Sequence, residues 1–406
     1  MTEALKTAES LASEDSSHGE TFAAIEDELG ALGPAATLDR LIEHLDAAHE
    51  YRALLDAHLL KARHELGLPL VMSGPLASLP EPTRTQYEER YVAAIRIVGS
   101  RHLDSGDIPT AWAYYRAIAE TEPVARAIRD YQPTENDERL GAVIEVAFNH
   151  GVSLERGFEL ILTHYGTCPA ITAFEQIPPH EEAARAACAG RLIRRVHHEL
   201  SSNLRAEITS RGQVLPTEGT SIVQVVEERP WLFSDESYHI DISHLASVVR
   251  MSILVRDPEV LALAVDLTEY GRRLSPRLLF EGSPPFENIF DDYRIYLNAF
   301  LGQGVAQAIT HFREKMTAGD DGETDRSLAA QTVVNLLHHA GRLDEAIDVA
   351  TEYLAGIPES ALACPSAAQL CLHAGQPQRL ASIAREQGDI VTFTAALLAD
   401  RTVSHP

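Results

Sequence analysis

Two segments near the end of the chain carry the strongest fold signal: LLHHAGRLDEAIDVATEYLAGIP, residues 336–358, and LCLHAGQPQRLASIAREQGD, residues 370–389. They match in phase, because the His-Ala-Gly triplet ending at Gly341 recurs 34 positions later, ending at Gly375. Self-similarity at this period is typical of arrays of paired helices. Glycine is suited to end the first helix of each pair, since that position needs a positive φ.

Three marks define each repeat. A Gly ends the first helix, a small residue five positions later lets the two helices approach closely, and a Pro 17 positions after the Gly stops the second helix. The marks stand at Gly341, Ala346 and Pro358, and again at Gly106, Ala111 and Pro123 within HLDSGDIPTAWAYYRAIAETEP, residues 102–123. At Tyr115 we expect an aromatic ring to pack between the helices, and in the last copy Leu380 replaces the small residue.

These marks resemble the tetratricopeptide repeat family over residues of about 91–125 and 240–390. The resemblance implies an all-α fold, a right-handed superhelix of antiparallel helical hairpins known as an α-solenoid. It also implies a concave groove that takes an extended peptide or a partner helix.

Weaker copies fill the space between. One predicted turn falls at Asp257-Pro258 with Ala262 as the small residue, and another falls at 302–304, followed by Ala308 and Phe312. A further helix pair is predicted over 37–67, with Thr37 or Asp39 as its N-cap and Gly67 at its end. A strand is favoured only by SIVQVVE, residues 221–227.

Charge and composition exclude several classes of protein. Acidic residues outnumber basic ones by 60 to 34, a net charge of −26, which disfavours nucleic-acid binding and docking to anionic membranes. Four cysteines without a CxxC pair indicate a reduced, cytoplasmic protein. We expect neither a signal peptide nor a transmembrane helix, because no basic-then-apolar start and no apolar run of about 18 residues occurs.

We predict four segments along the chain. Residues 1–20 form a disordered acidic tail, 21–135 N-terminal helical hairpins, 136–246 an irregular helical middle section, and 247–406 the C-terminal tetratricopeptide-like repeats. A departure from a repeat pattern is a place where function can be built in, so the middle section is where we look for a site.

The sharpest chemical pattern in the middle section is YHIDISH, residues 238–244. His239, Asp241 and His244, with His197 or His198 as a further ligand, could hold one divalent ion such as Zn, Fe, Mn or Ni. On one helix His239 and His244 would point about 140° apart, so the site needs an extended entry and a helix capped by Asp241 or Ser243. In the plainer alternative, Asp241 only caps that helix.

Further side chains could take part in chemistry. Glu199 or Tyr238 could move a proton at the metal site. A separate candidate pocket comprises His164, Tyr165 and Cys168, where a Cys/His nucleophilic pair could form. Pro169 disfavours a helix through Cys168, and the alternative is that Cys168 is a small buried hydrophobic residue.

Two functions from different classes follow. The first is a helical-repeat protein that binds a protein or peptide partner, or a small molecule, in its concave groove. The second is a divalent-metal-dependent enzyme, of hydrolase or lyase type, that uses the His/Asp site of the middle section. The chain has no GxxxxGKS phosphate loop, no GxGxxG motif and no GxSxG motif, so nucleotide-driven, Rossmann-cofactor and α/β-hydrolase chemistry are disfavoured.

Overall fold

The computed structural model describes residues 22–71, 79–217, 219–317 and 323–403. Across these ranges the regular secondary structure is helical, and the one pairing of extended backbone is an isolated bridge between Glu281 and Asn288. The all-α prediction is therefore confirmed. The acidic tail predicted at 1–20 lies outside the described residues. No helix in the described ranges has both the length and the apolar character needed to span a membrane.

The chain divides into two compact units that meet in sequence at Leu160–Ile161. After helical residues 22–32, the first unit contains α1 Pro34–Ala47, α2 Tyr51–Glu65, α3 Thr83–Asp104, α4 Ile108–Ala117, α5 Glu122–Asp130, α6 Leu140–Ile144, a π-helical turn Glu145–Asn149, and the start of α7 Leu154–His164. The second unit contains α8 Thr167–Gln176, α9 Glu182–Ser210, α10 Ile222–Glu227, α11 Ile242–Met251, α12 Pro258–Gly271, α13 Ile289–Phe300, α14 Val305–Thr317, α15 Glu323–His339, α16 Leu343–Tyr353, α17 Ala367–His373, α18 Pro377–Gln387 and α19 Ile390–Val403. Short 3₁₀ turns lie at Pro230–Glu236, Ser252–Leu254, Pro276–Leu278 and Glu359–Ala361. The domain boundaries predicted at 135/136 and 246/247 stay predictions.

The first helix pair of the N-terminal unit starts earlier than predicted. Pro34 occupies the first turn of α1, where its missing N–H costs nothing, and Gly33 is the N-cap. Thr37, expected as a cap, is instead buried inside the helix, and its Oγ1 donates to the carbonyl of Gly33 at 2.9 Å. At the other end Gly67 takes a φ of 64°, as predicted for the end of α2.

At the turn between α3 and α4, Gly106 and Ala111 have the conformation and burial that were predicted for them. Gly106 takes a φ of 75°, and Ala111 is completely buried. Tyr115 packs on α3 so closely that a Cβ added to Gly99 would lie 2.7 Å from its ring. The role predicted for Pro123 is wrong: α4 already ends at Ala117, and Pro123 lies in the first turn of α5, which proline suits.

The longest helix, α9, organises the first part of the second unit. It packs against α8, α11 and α12 through buried residues such as Leu192, Val196 and Leu200. The segment predicted as a strand, 221–227, is helical: Ser221 caps α10, and the buried residues Ile222, Val225 and Val226 have helical spacing. A short run of β-branched residues cannot be told from a buried helix by composition alone, which explains the wrong prediction.

From α13 onward, consecutive helices pack against each other along the chain. Gly302, Gly341 and Gly375 all take a positive φ at the predicted turns. The small or aromatic positions Ala308, Phe312 and Ala346 are fully buried, as the repeat pattern predicts. The position proposed for α12 is wrong by two residues, since Ala262 is exposed and Ala264 is buried.

Candidate functional site

The strongest sequence motif, 238–244, forms a helix start. Asp241 is the N-cap of α11, and its Oδ1 accepts from the backbone N–H groups of Ser243 at 2.9 Å and His244 at 3.2 Å. Hydrogen bonds from the Ser243 hydroxyl and from these backbone groups hold the pKa of Asp241 below its usual range. The carboxylate therefore remains ionised and serves the helix terminus.

His239 belongs to an aromatic cluster. Its backbone N–H donates to the Tyr270 hydroxyl at 2.8 Å, and its Nδ1 lies 3.1 Å from the same oxygen. Since that oxygen accepts from the backbone, its own proton is available for Nδ1. Burial raises the pKa of Tyr270 to about 12, and burial also lowers the pKa of His239. Both side chains are thus neutral partners near pH 7.

The three residues at 197–199 lie in three different environments. His197 Nε2 lies 3.2 Å from Oδ2 of Asp266, an oxygen that also accepts from the N–H that starts α10 at 3.3 Å. His198 is exposed. Glu199 accepts from Arg195 Nε at 2.5 Å and from the Thr167 hydroxyl at 3.1 Å, which fastens α8 to α9.

The second predicted pocket, at 164–168, lies at the protein surface. His164, Tyr165 and Cys168 are all exposed, so the alternative that Cys168 is a buried hydrophobic residue is wrong. Gly166 takes a φ of 89° and is the N-cap of α8. Cys168 lies in the first turn of α8 despite the following Pro169, because a proline near a helix start removes no hydrogen bond.

The predicted metal ligands therefore serve separate contacts: a helix cap for Asp241, the Tyr270 hydroxyl for His239 and the Asp266 carboxylate for His197. Tyr238, predicted to move a proton, is exposed. Within the residues that the structure describes, no three His, Cys, Asp or Glu side chains are grouped so that they could hold a metal ion. The metal site stays a prediction, and the described residues contain no group of ligands that would mark its position.

A buried charged network lies outside every motif considered in the sequence. Asp292 on α13 is 2% exposed, and it accepts from His311 Nε2 at 2.8 Å, Lys315 Nζ at 2.8 Å and the Asn288 backbone at 2.9 Å. Lys315 also donates to Glu287 and to the carbonyl of residue 285. Each oxygen of Asp292 has a partner. Because these partners are Asn288 just before α13 and two side chains of α14, the network links the loop before α13 to α14.

One cleft lies in the N-terminal unit. It encloses about 620 Å³ beside the turn at Gly106 and is lined by Asp130, Tyr131, Asp137 and Arg139, among others. Asp137 accepts from the Tyr131 hydroxyl at 2.7 Å, and this hydrogen bond lowers its pKa. Tyr131 and Asp137, two polar groups of this cleft, thus bond to each other.

A second cleft lies among helices near the C-terminal end of the described chain and has a different character. We call it the C-terminal cleft; it encloses about 350 Å³ between the end of α16, the segment 354–366, α17, α18 and the start of α19. Its volume falls within the range of roughly 300–1,000 Å³ that is usual for ligand sites. The apolar wall includes Leu354, Ile357, Leu362, Leu380, Ile383 and Ala384.

No family model matches the chain, and no curated protein matches it significantly. The tetratricopeptide resemblance therefore depends on the repeat marks themselves. Gly341 lies in the turn before α16 and Gly375 in the turn between α17 and α18, and these three helices line the C-terminal cleft.

The C-terminal cleft carries negative charge. Two carboxylates, Glu359 and Asp389, are among its lining residues, and none of the described lining residues is basic. Glu359 accepts from the Ser366 hydroxyl at 2.5 Å. Hydrogen bonds from Thr392 and from backbone groups at the start of α19 lower the pKa of Asp389. Both acidic groups are thus held in place beside the apolar wall, in a cavity that Ser366, Gln387 and Thr392 also line.

Proposed function

We propose that this chain is a helical-repeat protein that binds a partner or ligand through its C-terminal repeats, with the C-terminal cleft as the binding site. The observation that carries the proposal is the cleft itself, a cavity of about 350 Å³ with an aliphatic wall and two fixed carboxylates. Apolar clefts with a few placed polar groups are the usual form of a binding site.

The proposal includes the superhelix that the sequence resemblance implies. We propose that the helices from α13 to α18 act as stacked antiparallel hairpins, so that their concave side forms a groove continuous with the cleft. Positive φ at Gly302, Gly341 and Gly375, and complete burial of Ala308 and Ala346, support this arrangement. In stacked repeats each hairpin covers the apolar side of its neighbour.

Binding is favoured over metal-dependent catalysis by the contacts of the candidate ligands. Asp241 is used as a helix cap, and His239 and His197 are hydrogen-bonded to Tyr270 and Asp266. A catalytic metal needs about three protein ligands converging on one point. The metalloenzyme alternative stays a prediction that metal analysis of the purified chain can test.

A peptide array tests the proposal without requiring that the partner be identified. The full chain is applied to immobilised random peptides, in parallel with Ala368→Trp, whose indole is expected to fill the C-terminal cleft. Ala368 is a partly exposed lining residue on α17, so the substitution is expected to leave the fold intact. Circular dichroism and the melting temperature verify this.

The matched control is Ala363→Trp. Ala363 is exposed and is not among the lining residues of the cleft, and its backbone contacts with Gln331 and Asn335 do not involve its side chain. The proposal requires peptides that bind the wild type and the Ala363 variant and are lost with Ala368→Trp. A set of bound peptides that is identical for all three proteins overturns it.

A further inference from the structure

We infer that the C-terminal cleft takes a cationic amphipathic segment of a partner protein, an apolar anchor side chain flanked by lysine or arginine. The inference rests on the proposed function and adds the chemistry of the partner. It is carried by the juxtaposition of an aliphatic wall with Glu359 and Asp389 in one open cavity.

The apolar wall determines the anchor. Leu354, Leu380 and Ile383 are buried, whereas Ile357 and Leu362 are partly exposed and face the cavity. An aliphatic or aromatic side chain that enters this cavity removes apolar surface from water on both partners, with roughly 25 cal/mol gained per Å². Anchors of this kind usually supply most of the affinity of a protein interface.

The two fixed carboxylates determine the charge that we expect beside the anchor side chain of the partner. Asp389 holds its position as the residue before α19, where it accepts from the N–H groups of Val391 and Thr392 at 3.0 Å each. Glu359 is held by Ser366. The contacts of Glu359 and Asp389 in the described residues come from hydroxyl and backbone N–H groups, so each carboxylate can still accept from a lysine or arginine of a partner.

The arginines of this region are already engaged within the chain. Arg379 donates to Asp344 and Asp348, and the guanidinium of Arg385 lies over the Phe393 ring, 4.9 Å from its centre. These two are the only basic residues of the Lys and Arg type between 343 and 400, against eight acidic ones: Asp344, Glu345, Asp348, Glu352, Glu359, Glu386, Asp389 and Asp400. Since Glu359 and Asp389 line the cleft and no basic residue does, the charge at the cleft itself attracts cations and repels anionic segments.

The apolar surface continues next to the cleft. Ile390 and Val391 directly follow Asp389, and with Leu398 they are exposed on α19 to 78%, 80% and 60%. Residues 390–399 contain no charged side chain. A segment anchored in the cleft can thus extend its apolar side along the start of α19 while its cations meet Asp389.

Three matched synthetic peptides test the inference with the full chain. All have leucines at helical spacing, and the polar positions are lysine in the first, glutamine in the second and glutamate in the third. Titration calorimetry at about 0.05 M and about 0.5 M NaCl separates the charge contribution, because the screening length is shorter at the higher salt. We expect the lysine peptide to bind most tightly, to weaken at high salt, and to lose at least about tenfold in affinity with Ala368→Trp.

Charge-neutral variants show which carboxylates contribute to binding of the lysine peptide. Glu359→Gln keeps an acceptor for Ser366, and Asp389→Asn keeps a good helix cap, so both are expected to fold. Each should weaken the lysine peptide by about two- to fivefold and leave the glutamine peptide unchanged. The control with the same kind of charge change is Glu89→Gln with Glu155→Gln, two exposed residues of the N-terminal unit, which should have no effect.

The possible outcomes distinguish a failure of the cationic inference from a failure of the proposed function. If the glutamine peptide binds as tightly as the lysine peptide, and Ala368→Trp abolishes both, the cleft is a binding site and the cationic inference is overturned. The cationic inference also fails if the control pair weakens binding as much as the cleft variants do. If no peptide responds to Ala368→Trp, the proposed function fails as well.

Discussion

Nε2 of His338 lies 3.1 Å from Nδ1 of His373, and this contact joins the end of α15 to the end of α17. Burial lowers the pKa of His338, and the charges of His373 and His339 lower it further. A histidine whose pKa falls on folding is held in its neutral form by the folded chain. Protonation of both rings would leave no acceptor between them and would therefore oppose this contact between α15 and α17.

We predict that the free energy of unfolding falls as the pH drops below about 6.5, the ordinary pKa of histidine, because the unfolded chain then binds protons that the folded chain does not. His338→Gln should make this pH dependence shallower without abolishing it, since burial also lowers the pKa of His58 and His239. Urea unfolding between about pH 7.5 and 5.5 measures the slope. An identical slope for wild type and variant contradicts the assignment.

Two glycines in helices should respond to alanine with opposite signs. At Gly99 a Cβ would lie 2.7 Å from the buried Tyr115 ring, so Gly99→Ala should destabilise the protein by about 1–2 kcal/mol despite the better helix propensity of alanine. At Gly190 the nearest atom, on Val260, is 3.9 Å away, so Gly190→Ala should stabilise by about 0.5–1 kcal/mol. Thermal unfolding of both variants measures the difference, and equal signs disprove the close packing at Gly99.

Asp241 should behave as a helix cap. Asp241→Ala removes the acceptor for the N–H groups of Ser243 and His244 and should cost about 1 kcal/mol of stability. Asp241→Asn keeps a capping oxygen and should cost only a few tenths of that. Chemical denaturation measures both variants. A loss from asparagine as large as the loss from alanine would show that the charge itself, as in a metal ligand, is what matters.

The buried carboxylate of Asp292 should contribute far more stability than its neighbour in sequence. Asp292→Ala leaves Lys315 and His311 without their shared partner and should cost about 3 kcal/mol. The control is Asp291→Ala, which removes an exposed pair with Arg272 and should cost about 1 kcal/mol or less. Urea unfolding of the two variants measures both losses, and similar values are incompatible with the network described.

The sequence predicts those parts of the fold that depend on local pattern. Positive φ at Gly341 and Gly375, and burial of Ala111 and Ala346, follow from the repeat marks because backbone conformation and close helix approach restrict the residue type. The strand prediction at 221–227 is wrong because a short run rich in β-branched residues suits a buried helix equally well.

The candidate site is less accessible from sequence, for a physical reason. Contacts such as His197 with Asp266, or His239 with Tyr270, join residues far apart in the chain, and their partners cannot be read from spacing. The Asp292 network does leave a signal in the sequence, because Asp292 is a charged residue at a position of α13 whose neighbours on the buried side are apolar or aromatic. The C-terminal cleft leaves none, since it arises only when four helices and a connecting segment pack together.

Hydrogen–deuterium exchange of the full chain, with and without the leucine–lysine peptide, is the sharpest test of binding at the C-terminal cleft. We predict protection confined to the backbone amides of 354–368 and 380–392, which line the cleft, and no protection in Ala368→Trp. Protection centred on α9 to α11, where the histidines of the middle section lie, or an unchanged exchange pattern throughout, would contradict binding at this cleft.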